Sequence, residues 1–412
     1  VGEEAPRQGA TAPDGFAVDA FTGMSAARRG LYVHFPWCLA KCPYCDFAVA
    51  VQKRIPEARY TDGLLAELAL RLAARPAWAD APLDSVYLGG GTPSLWAPAL
   101  VARLLDAVRT QLRLRPDAEV TLEANPEVAD AARLAGYRAS GVNRLSLGVQ
   151  SFDAGTLRAL GRAHAPGDAG AAVRAAGDAG FDNVSVDLIL GVQGQSLASA
   201  VQDAARAAAL GPQHVSAYVL TVEREALGQE TVFARRLRTG RLQLPPDEAV
   251  ADMVEAVTDV LEAAGLARYE VSNYARAGQH ARHNALYWTG GECLALGVGA
   301  TGFFRTATGG VRTASHSSHV RWFADVEAGR LPEAETEALT DADVFTERLM
   351  LGLRFTSGLD VEALARQYGQ PSRAERLQRL AAQGLASQAA DGRFRLSRRG
   401  LLLHTDVCAR LL

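Results

Sequence analysis

Lysine is almost missing from this chain of 412 residues: Lys41 and Lys53 are the only two, and arginine carries the rest of the positive charge. The bias reads as genomic composition and not as a phosphate-binding surface. With 43 basic and 46 acidic side chains, the formal net charge is −3. Neither sign is in surplus, so neither a nucleic-acid partner nor a general attraction to anionic membranes is expected. No apolar run is long enough to span a bilayer, and the start lacks the basic-then-apolar order of a secretory signal. The cytoplasm is therefore the expected compartment. Cysteine is also scarce. Of the five, Cys38, Cys42 and Cys45 fall together, while Cys293 and Cys408 stand alone. An odd, clustered set makes a poor disulfide framework and a better metal site.

Hydrophobic residues at 48% and charged residues at 22% describe an ordinary globular protein. The length suits two domains, or one large domain with an appendage. Residues 1–28 are rich in Ala, Gly, Pro and charge without a period, which predicts a mobile tail. Met24 lies shortly before the first strand and is an alternative start. From Gly30, short β-rich runs alternate with amphipathic helical stretches such as Tyr60–Arg71, Leu100–Leu112 and Leu197–Leu210. The runs are Leu31–Pro36, Ser85–Gly90, Glu119–Asn125, Arg144–Gln150, Asn183–Gly191 and His214–Val222. Strand–helix–strand spacing predicts parallel strands with helical crossovers. Six of them suit a (β/α)6 partial TIM barrel over 29–265, with a flat doubly wound sheet as the alternative. Unusual residues gather at the strands' C-terminal ends, where parallel α/β folds place their sites, and that favours the barrel. Residues 266–412 form a smaller, mostly helical C-terminal region. Its segment Val361–Leu396 reads as a helical unit closed by a hairpin, winged-helix-like.

Cys38-Leu39-Ala40-Lys41-Cys42-Pro43-Tyr44-Cys45 is a C-x3-C-x2-C run. Three thiolates on one loop can bind three irons of a [4Fe–4S] cubane and leave the fourth iron open. The amino and carboxylate groups of S-adenosylmethionine (SAM) can chelate that iron. An electron from the cluster can then break a sulfonium bond and release a 5′-deoxyadenosyl radical. A structural zinc usually wants four ligands in paired knuckles, and no second knuckle is present.

The run Tyr32-Val33-His34-Phe35-Pro36-Trp37-Cys38, followed by Lys41 to Phe47, resembles the radical SAM superfamily. Within it, the chain is similar to the branch holding oxygen-independent coproporphyrinogen III oxidase and the HemW-like haem chaperones, from about Gly30 to the C-terminus. The resemblance implies a cluster on Cys38, Cys42 and Cys45. It also implies that Gly90, Gly91 and Thr92, in the motif Gly89–Pro93, meet the amino-acid end of SAM. Glycine admits a ligand close to the backbone, though such turns are common in their own right. Glu123, Gln150, Arg162 and Asp187 match positions that contact SAM or a second SAM molecule, and Tyr32 matches one that packs near it. Rim hydrogen bonds, a salt bridge at Arg162 and plain core packing of Tyr32 are the alternatives.

Two details separate members of the branch. The oxidase pattern has a further Cys two places after the third, whereas this chain reads Cys45-Asp46-Phe47, as in the chaperone group. The run His283-Asn284-Ala285-Leu286-Tyr287-Trp288 resembles the H-N-x-x-Y-W motif tied to haem binding there. A neutral imidazole is a good haem ligand, so His283 is the candidate. A turn cap with core aromatics is the alternative, and His280 and Cys293 are nearby rivals. His316 and His319 are expected to face solvent, His34 to pack or donate a hydrogen bond, and Cys408 to be core. The resemblance implies a haem chaperone that passes haem to acceptors such as membrane-associated respiratory enzymes, and it allows a homodimer. The alternatives are the decarboxylating oxidase itself and a methyltransferase of the same branch.

Overall fold

The computed structural model describes residues 28–222, 225–226 and 229–412. The tail expected over 1–28, with Met24, lies outside the described residues except for Arg28. Six parallel strands make the centre of the sheet: β1 (Arg29–Phe35), β2 (Pro82–Gly90), β3 (Arg113–Ala124), β4 (Arg144–Gln150), β5 (Val184–Leu190) and β6 (His214–Val219). They lie side by side in chain order. That order decides between the two windings. A doubly wound sheet reverses at a switch point, whereas adding each strand to the same edge is the winding of a barrel. The crossovers carry α1 (Glu57–Ala74), α2 (Pro98–Gln111), α3 (Ala131–Ser140), α4 (Asp168–Asp178) and α5 (Leu197–Ala209).

Each central strand alternates apolar and polar residues, and the period of two sorts them onto opposite faces. Leu31, Val33 and Phe35 on β1, Val120 and Leu122 on β3, and Val186 and Leu188 on β5 join the main apolar core. The opposite set is polar: Tyr87, Glu123, Arg144, Ser146, Asp187 and Ser216 all line one cavity at the strands' C-terminal ends. The inner face is thus a polar wall and not a packed barrel core. Outside it, α5 presents the small side chains of Ala200, Ala204 and Ala207, against which α6 (Asp247–Ala263) packs Val254, Val257 and Leu261.

The sheet continues past both ends of this set. Beyond β6 lie the short antiparallel strands β7 (Ala267–Arg268) and β8 (Asn273–Ala275). After α7 (Arg282–Trp288) the chain returns to the other edge. There β9 (Glu292–Leu296) pairs parallel with β1, and β10 (Thr301–Thr306), β11 (Gly309–Ser315) and β12 (Glu333–Leu339) follow antiparallel, completing a twelve-stranded sheet among the described residues. The sheet therefore crosses the boundary expected between 265 and 266. The Gly-rich stretch from Gly290 forms strands because its glycines stand where a side chain would strike a neighbour. A Cβ on Gly302 would lie 2.9 Å from the Cys293 carbonyl oxygen, and one on Gly310 2.6 Å from the Phe303 ring. On β12, Glu335 and Glu337 of a helix-favouring sequence sit exposed on an edge strand, where charge discourages further pairing.

Between β11 and β12, α8 (His319–Glu327) packs on α1, and α9 (Asp341–Gly352) then opens the helical part of the C-terminal region with a Thr340–Asp343 capping box. Helices Val361–Gln367 and Ala374–Ala382 lead to a hairpin of Ala386–Gln388 with Phe394–Leu396, and two last helices follow. This unit has a separate apolar core around Phe345, Leu349 and Val407, which includes Cys408.

Candidate functional site

The three clustered cysteines occupy one loop that leaves β1. Trp37–Cys38 bridges Ala50–Val51 in a short parallel pair, which closes the loop at its base. Pro43 supplies a fixed φ at the second position of a turn closed by Cys45 N–H donating to the Cys42 carbonyl (3.1 Å), so these two thiols share one turn. The Pro43 carbonyl accepts from Phe233 N–H (3.0 Å), and His34 Nε2–H donates to the Ala48 carbonyl (3.0 Å). The other nitrogen of His34 accepts from the Tyr32 hydroxyl (2.9 Å). Burial lowers the pKa of His34 to about 4, so it is a neutral pin for the loop. All three thiols are half-exposed. Burial pushes Cys45 up to about 11 and raises Cys38, so metal binding here must displace protons.

The loop after β2 is tied to this one. Gly91 N–H donates to the Phe35 carbonyl (2.7 Å) and Thr92 N–H to the Trp37 carbonyl (2.8 Å). A Cβ on Gly91 would lie 2.6 Å from the Trp37 carbonyl oxygen, and Gly90 has φ +112° with the His34 ring beside it. Only glycine satisfies both positions. Gly90 N–H in turn donates to Glu123 (3.0 Å), whose other oxygen accepts from the Tyr87 hydroxyl (2.7 Å).

The cysteines, Gly90, Gly91, Thr92, Glu123, Gln150, Arg162 and Asp187 all face one cavity of about 580 Å³ at the mouth of the six strands. Burial raises Glu123 to about 7, with the Asp187 charge adding to it. Burial also raises Asp187, which accepts from the Ser146 and Ser185 hydroxyls. Arg162 donates to Asn125 (2.6 Å) and to the Gly148 carbonyl (2.9 Å) while reaching Cys42 Sγ (3.7 Å), so it links the cysteine turn to the ends of β3 and β4. Gln150 has φ +65°, the one positive value on a non-glycine among the described residues. Such strain persists where the surroundings over-determine it, as they do here. The next residues are clamped by Asp203, which accepts from the Ser151 hydroxyl (2.6 Å) and Phe152 N–H (2.7 Å).

Arg144 was not singled out from the sequence. Its guanidinium is buried, faces the same cavity, and leaves Nε without a hydrogen-bond partner. Together with Glu123 and Asp187 it offers charges of both signs, which suits a ligand that is itself zwitterionic. The signal lay in the alternation of Arg144 and Ser146 with Leu145 and Leu147 on β4. Tyr32, by contrast, is not on this cavity. Its ring stacks on Tyr87 (6.2 Å) and lines a second cavity of about 470 Å³, together with Tyr287 and Cys293.

His283 stands in the wall beside both cavities. It is buried, its ring stacks on Tyr87 (5.1 Å), and both nitrogens are taken: Nδ1 by the Ser85 hydroxyl and Nε2 by the Tyr287 hydroxyl, each at 2.9 Å. Burial, helped by Arg144, lowers its pKa to about 3. Glu119 caps α7 by accepting from Arg282 and His283 N–H (2.9 Å each). The motif thus holds α7 against β2 and β3 and leaves no ring nitrogen free for iron. His316 is half-buried against Asp325 (3.1 Å), not freely exposed, because Asp325 reaches it from α8. His319 is half-buried beside Gln52.

A family model described as the radical SAM superfamily matches residues 32–207, and one described as the HemN C-terminal domain matches 339–403. The "Heme chaperone HemW" of Mycobacterium tuberculosis H37Rv is 41% identical over 389 residues, covering 93% of this chain and 94% of that protein. The chain belongs to the HemW family of the radical SAM superfamily. The protein of the same name from Escherichia coli K12 is 38% identical over 74% of this chain and 78% of its own length. A mouse relative, "Radical S-adenosyl methionine domain-containing protein 1, mitochondrial", is 36% identical over 81% and 75%. The crystal structure of E. coli coproporphyrinogen III oxidase (HemN) superposes with a TM-score of 0.77 at 22% identity, over 96% of this chain and 92% of that one, and shows the shared fold. Membership of the superfamily implies a [4Fe–4S] cluster and SAM. No helix among the described residues is long and apolar enough to cross a membrane.

Proposed function

We propose that this protein is a haem chaperone that holds a [4Fe–4S] cluster on Cys38, Cys42 and Cys45 and SAM in the adjoining cavity, and passes haem to acceptor proteins. The observation that carries the reading is the single loop of three half-exposed thiols opening onto a polar wall drawn from β2 to β6. The residues fit such a cluster. Three half-exposed thiols line one roomy cavity, and no other cysteine is among its lining residues. When bound, cluster and SAM together supply reductive cleavage of a carbon–sulfur bond. Around them, Gly90 and Gly91 keep the backbone open, Glu123 and Asp187 face cationic groups, and Arg162 and Gln150 line the cavity beside the cysteine turn. Arg144 is placed to face an anionic group.

The haem part rests on the names of the relatives and on Phe47 in place of a further cysteine. We assign residues 29–265 as the radical SAM core and 266–412 as the C-terminal region, working in the cytoplasm. Haem-binding respiratory enzymes at the membrane are the proposed acceptors. Anaerobic reconstitution with iron and sulfide, followed by titration with SAM and with hemin in the same sample, tests the reading. Iron and sulfide near four each per chain, with responses to both ligands, are expected from about one cubane. Zinc without inorganic sulfide, or no response to SAM, overturns the radical SAM part, and no response to hemin overturns the chaperone part.

A further inference from the structure

The cysteine loop has an outer side as well as the side that opens on the mouth. The chain's only two lysines, Lys41 and Lys53, both stand exposed on it, and Arg54 follows. Genomic bias accounts for the scarcity of lysine but not for this placement. The same loop presents apolar surface: Leu39, Phe47 and Val51 are each more than half exposed. Helix α8 adjoins it, because Gln52 bonds both the Trp37 indole (3.2 Å) and the His319 ring (3.4 Å), and α8 adds the exposed Val320 and Arg321. The acids on this side are engaged. Asp325 and Glu327 of α8 pair with Arg330 and Arg59, and Asp46 is half-buried against the cavities. Lys41, Lys53, Arg54 and Arg321 make no ion pair among the described residues.

We propose that this outer face docks an acidic one-electron carrier protein that reduces the cluster. The proposal rests on the cluster part of the reading above and adds the partner. Three observations carry it. First, in a chain of net charge −3, four cations without acids gather on one side, which complements a negative partner and steers its approach. Second, apolar and basic side chains are interleaved, as Leu39 with Lys41, Val51 with Lys53 and Val320 with Arg321. That is the mixed surface of a small protein interface, such as redox encounters of less than about 1,200 Å². A uniform basic run, the kind that gathers on anionic lipid, is absent from it. Third, Val51 stands opposite Cys38 in the short parallel pair at the base of the loop. A carrier seated on Val51 is therefore one strand spacing, roughly 5 Å, from a residue that holds the cluster. Reductive cleavage of a carbon–sulfur bond needs an electron from outside the chain, and this is the side on which the thiol loop meets solvent. The carrier gives up one electron and is oxidised, the cluster is reduced by one electron, and no bond or proton is exchanged between the two proteins.

The test is the rate at which the anaerobically reconstituted full-length chain is reduced, followed by bleaching of its cluster absorbance. Two reductants are compared: a reduced flavodoxin, as an acidic carrier protein, and photoreduced deazaflavin, a small molecule that needs no docking face. Iron and sulfide content and SAM binding are measured on the same preparations. One double variant, Lys53→Glu with Arg54→Glu, lies on the loop. The other, Val320→Asp with Arg321→Glu, lies on α8, off the loop that carries the thiols. Each is expected to slow reduction by flavodoxin tenfold or more at low ionic strength, and to leave reduction by deazaflavin, SAM affinity and cluster content as in the wild type. Added salt should slow the wild type and hardly change the variants. Should the loop variant lose iron, the α8 variant decides alone. Wild-type flavodoxin rates in the variants, or a wild-type rate indifferent to salt, overturn the proposal. It is equally overturned if the wild type sediments with phosphatidylserine vesicles, both variants lose that binding, and flavodoxin reduction is unchanged, because the face then serves lipid. If the wild type assembles no cluster, it is the radical SAM reading that fails, and the carrier falls with it.

Discussion

The two cavities are built on one sheet face and share Asp46 and Phe47, yet the first is the more polar of the two. The mouth collects Glu123, Arg144, Asp187 and three thiols because β2 to β6 place a polar residue at alternate positions, all on the inner face. The second cavity draws on β9 and β10, where the same pleat carries Cys293, Gly302 and Phe303, and most of its lining surface is apolar. Burial therefore acts on charged groups in the first and on apolar surface in the second. A polar wall in a low-dielectric enclosure makes each charge costly unless a ligand answers it. The apolar slot carries no such demand. Between them stand Tyr32, His34, Tyr87, His283 and Tyr287, whose hydrogen bonds join the walls of the two sites.

The largest separation of cluster binding from haem binding is expected from Cys42→Ser. Losing one of three thiolates should reduce iron and sulfide after anaerobic reconstitution to near zero, while hemin titration proceeds as in the wild type. Joint loss of both would make them one site. Gly91→Ala comes next, because its methyl meets the Trp37 carbonyl oxygen at 2.6 Å. It should cost about 1–3 kcal/mol of stability in a urea melt and abolish SAM binding by prying apart the two loops. Glu123→Gln is expected to weaken SAM binding several-fold and to remove its pH dependence. The Glu123 pKa of about 7 lies above its usual 4.5. The folded chain thus holds this proton longer than the unfolded one, so the group costs stability as pH rises between those two values. A cationic ligand binds better once the proton has left. With the Tyr87 hydroxyl, Gly90 N–H, Asp187 and Arg144 around it, SAM affinity in the wild type should rise from about pH 6 to about pH 8, and be flat in the glutamine variant. The smallest effect belongs to Gln150→Gly. Removing a side chain from φ +65° should raise stability by about 1 kcal/mol while lowering SAM affinity, and a melt with and without SAM separates the two.

Much of the mouth was legible in the chain before folding. The C-x3-C-x2-C spacing, the glycines before Thr92 and the carboxylates at strand ends are local features, and local features survive reading in one dimension. Short β-rich runs between amphipathic helical stretches likewise marked all six parallel strands. The start of β3 at Arg113 was less visible, since its first residues are charged and exposed and carry no apolar alternation.

What the chain could not disclose depends on partners distant in sequence. Strands β9 to β12 form because β1 offers an unpaired edge, and pairing there overrides the weak strand propensity of a glycine-rich and then a glutamate-rich stretch. The motif at His283 looked like an iron ligand in one dimension. Only the fold brings Ser85 and Tyr287 onto its two nitrogens. Tyr32 and Glu123, both read as neighbours of SAM, part company because one strand position turns toward β9 and the other toward the mouth. Sequence by itself determined which chemical groups this protein owns and the strand ends that carry them, because spacing and alternation are properties of the backbone. Tertiary structure alone decided which of those groups remain free to meet a ligand, because a hydrogen bond across the sheet can occupy any of them.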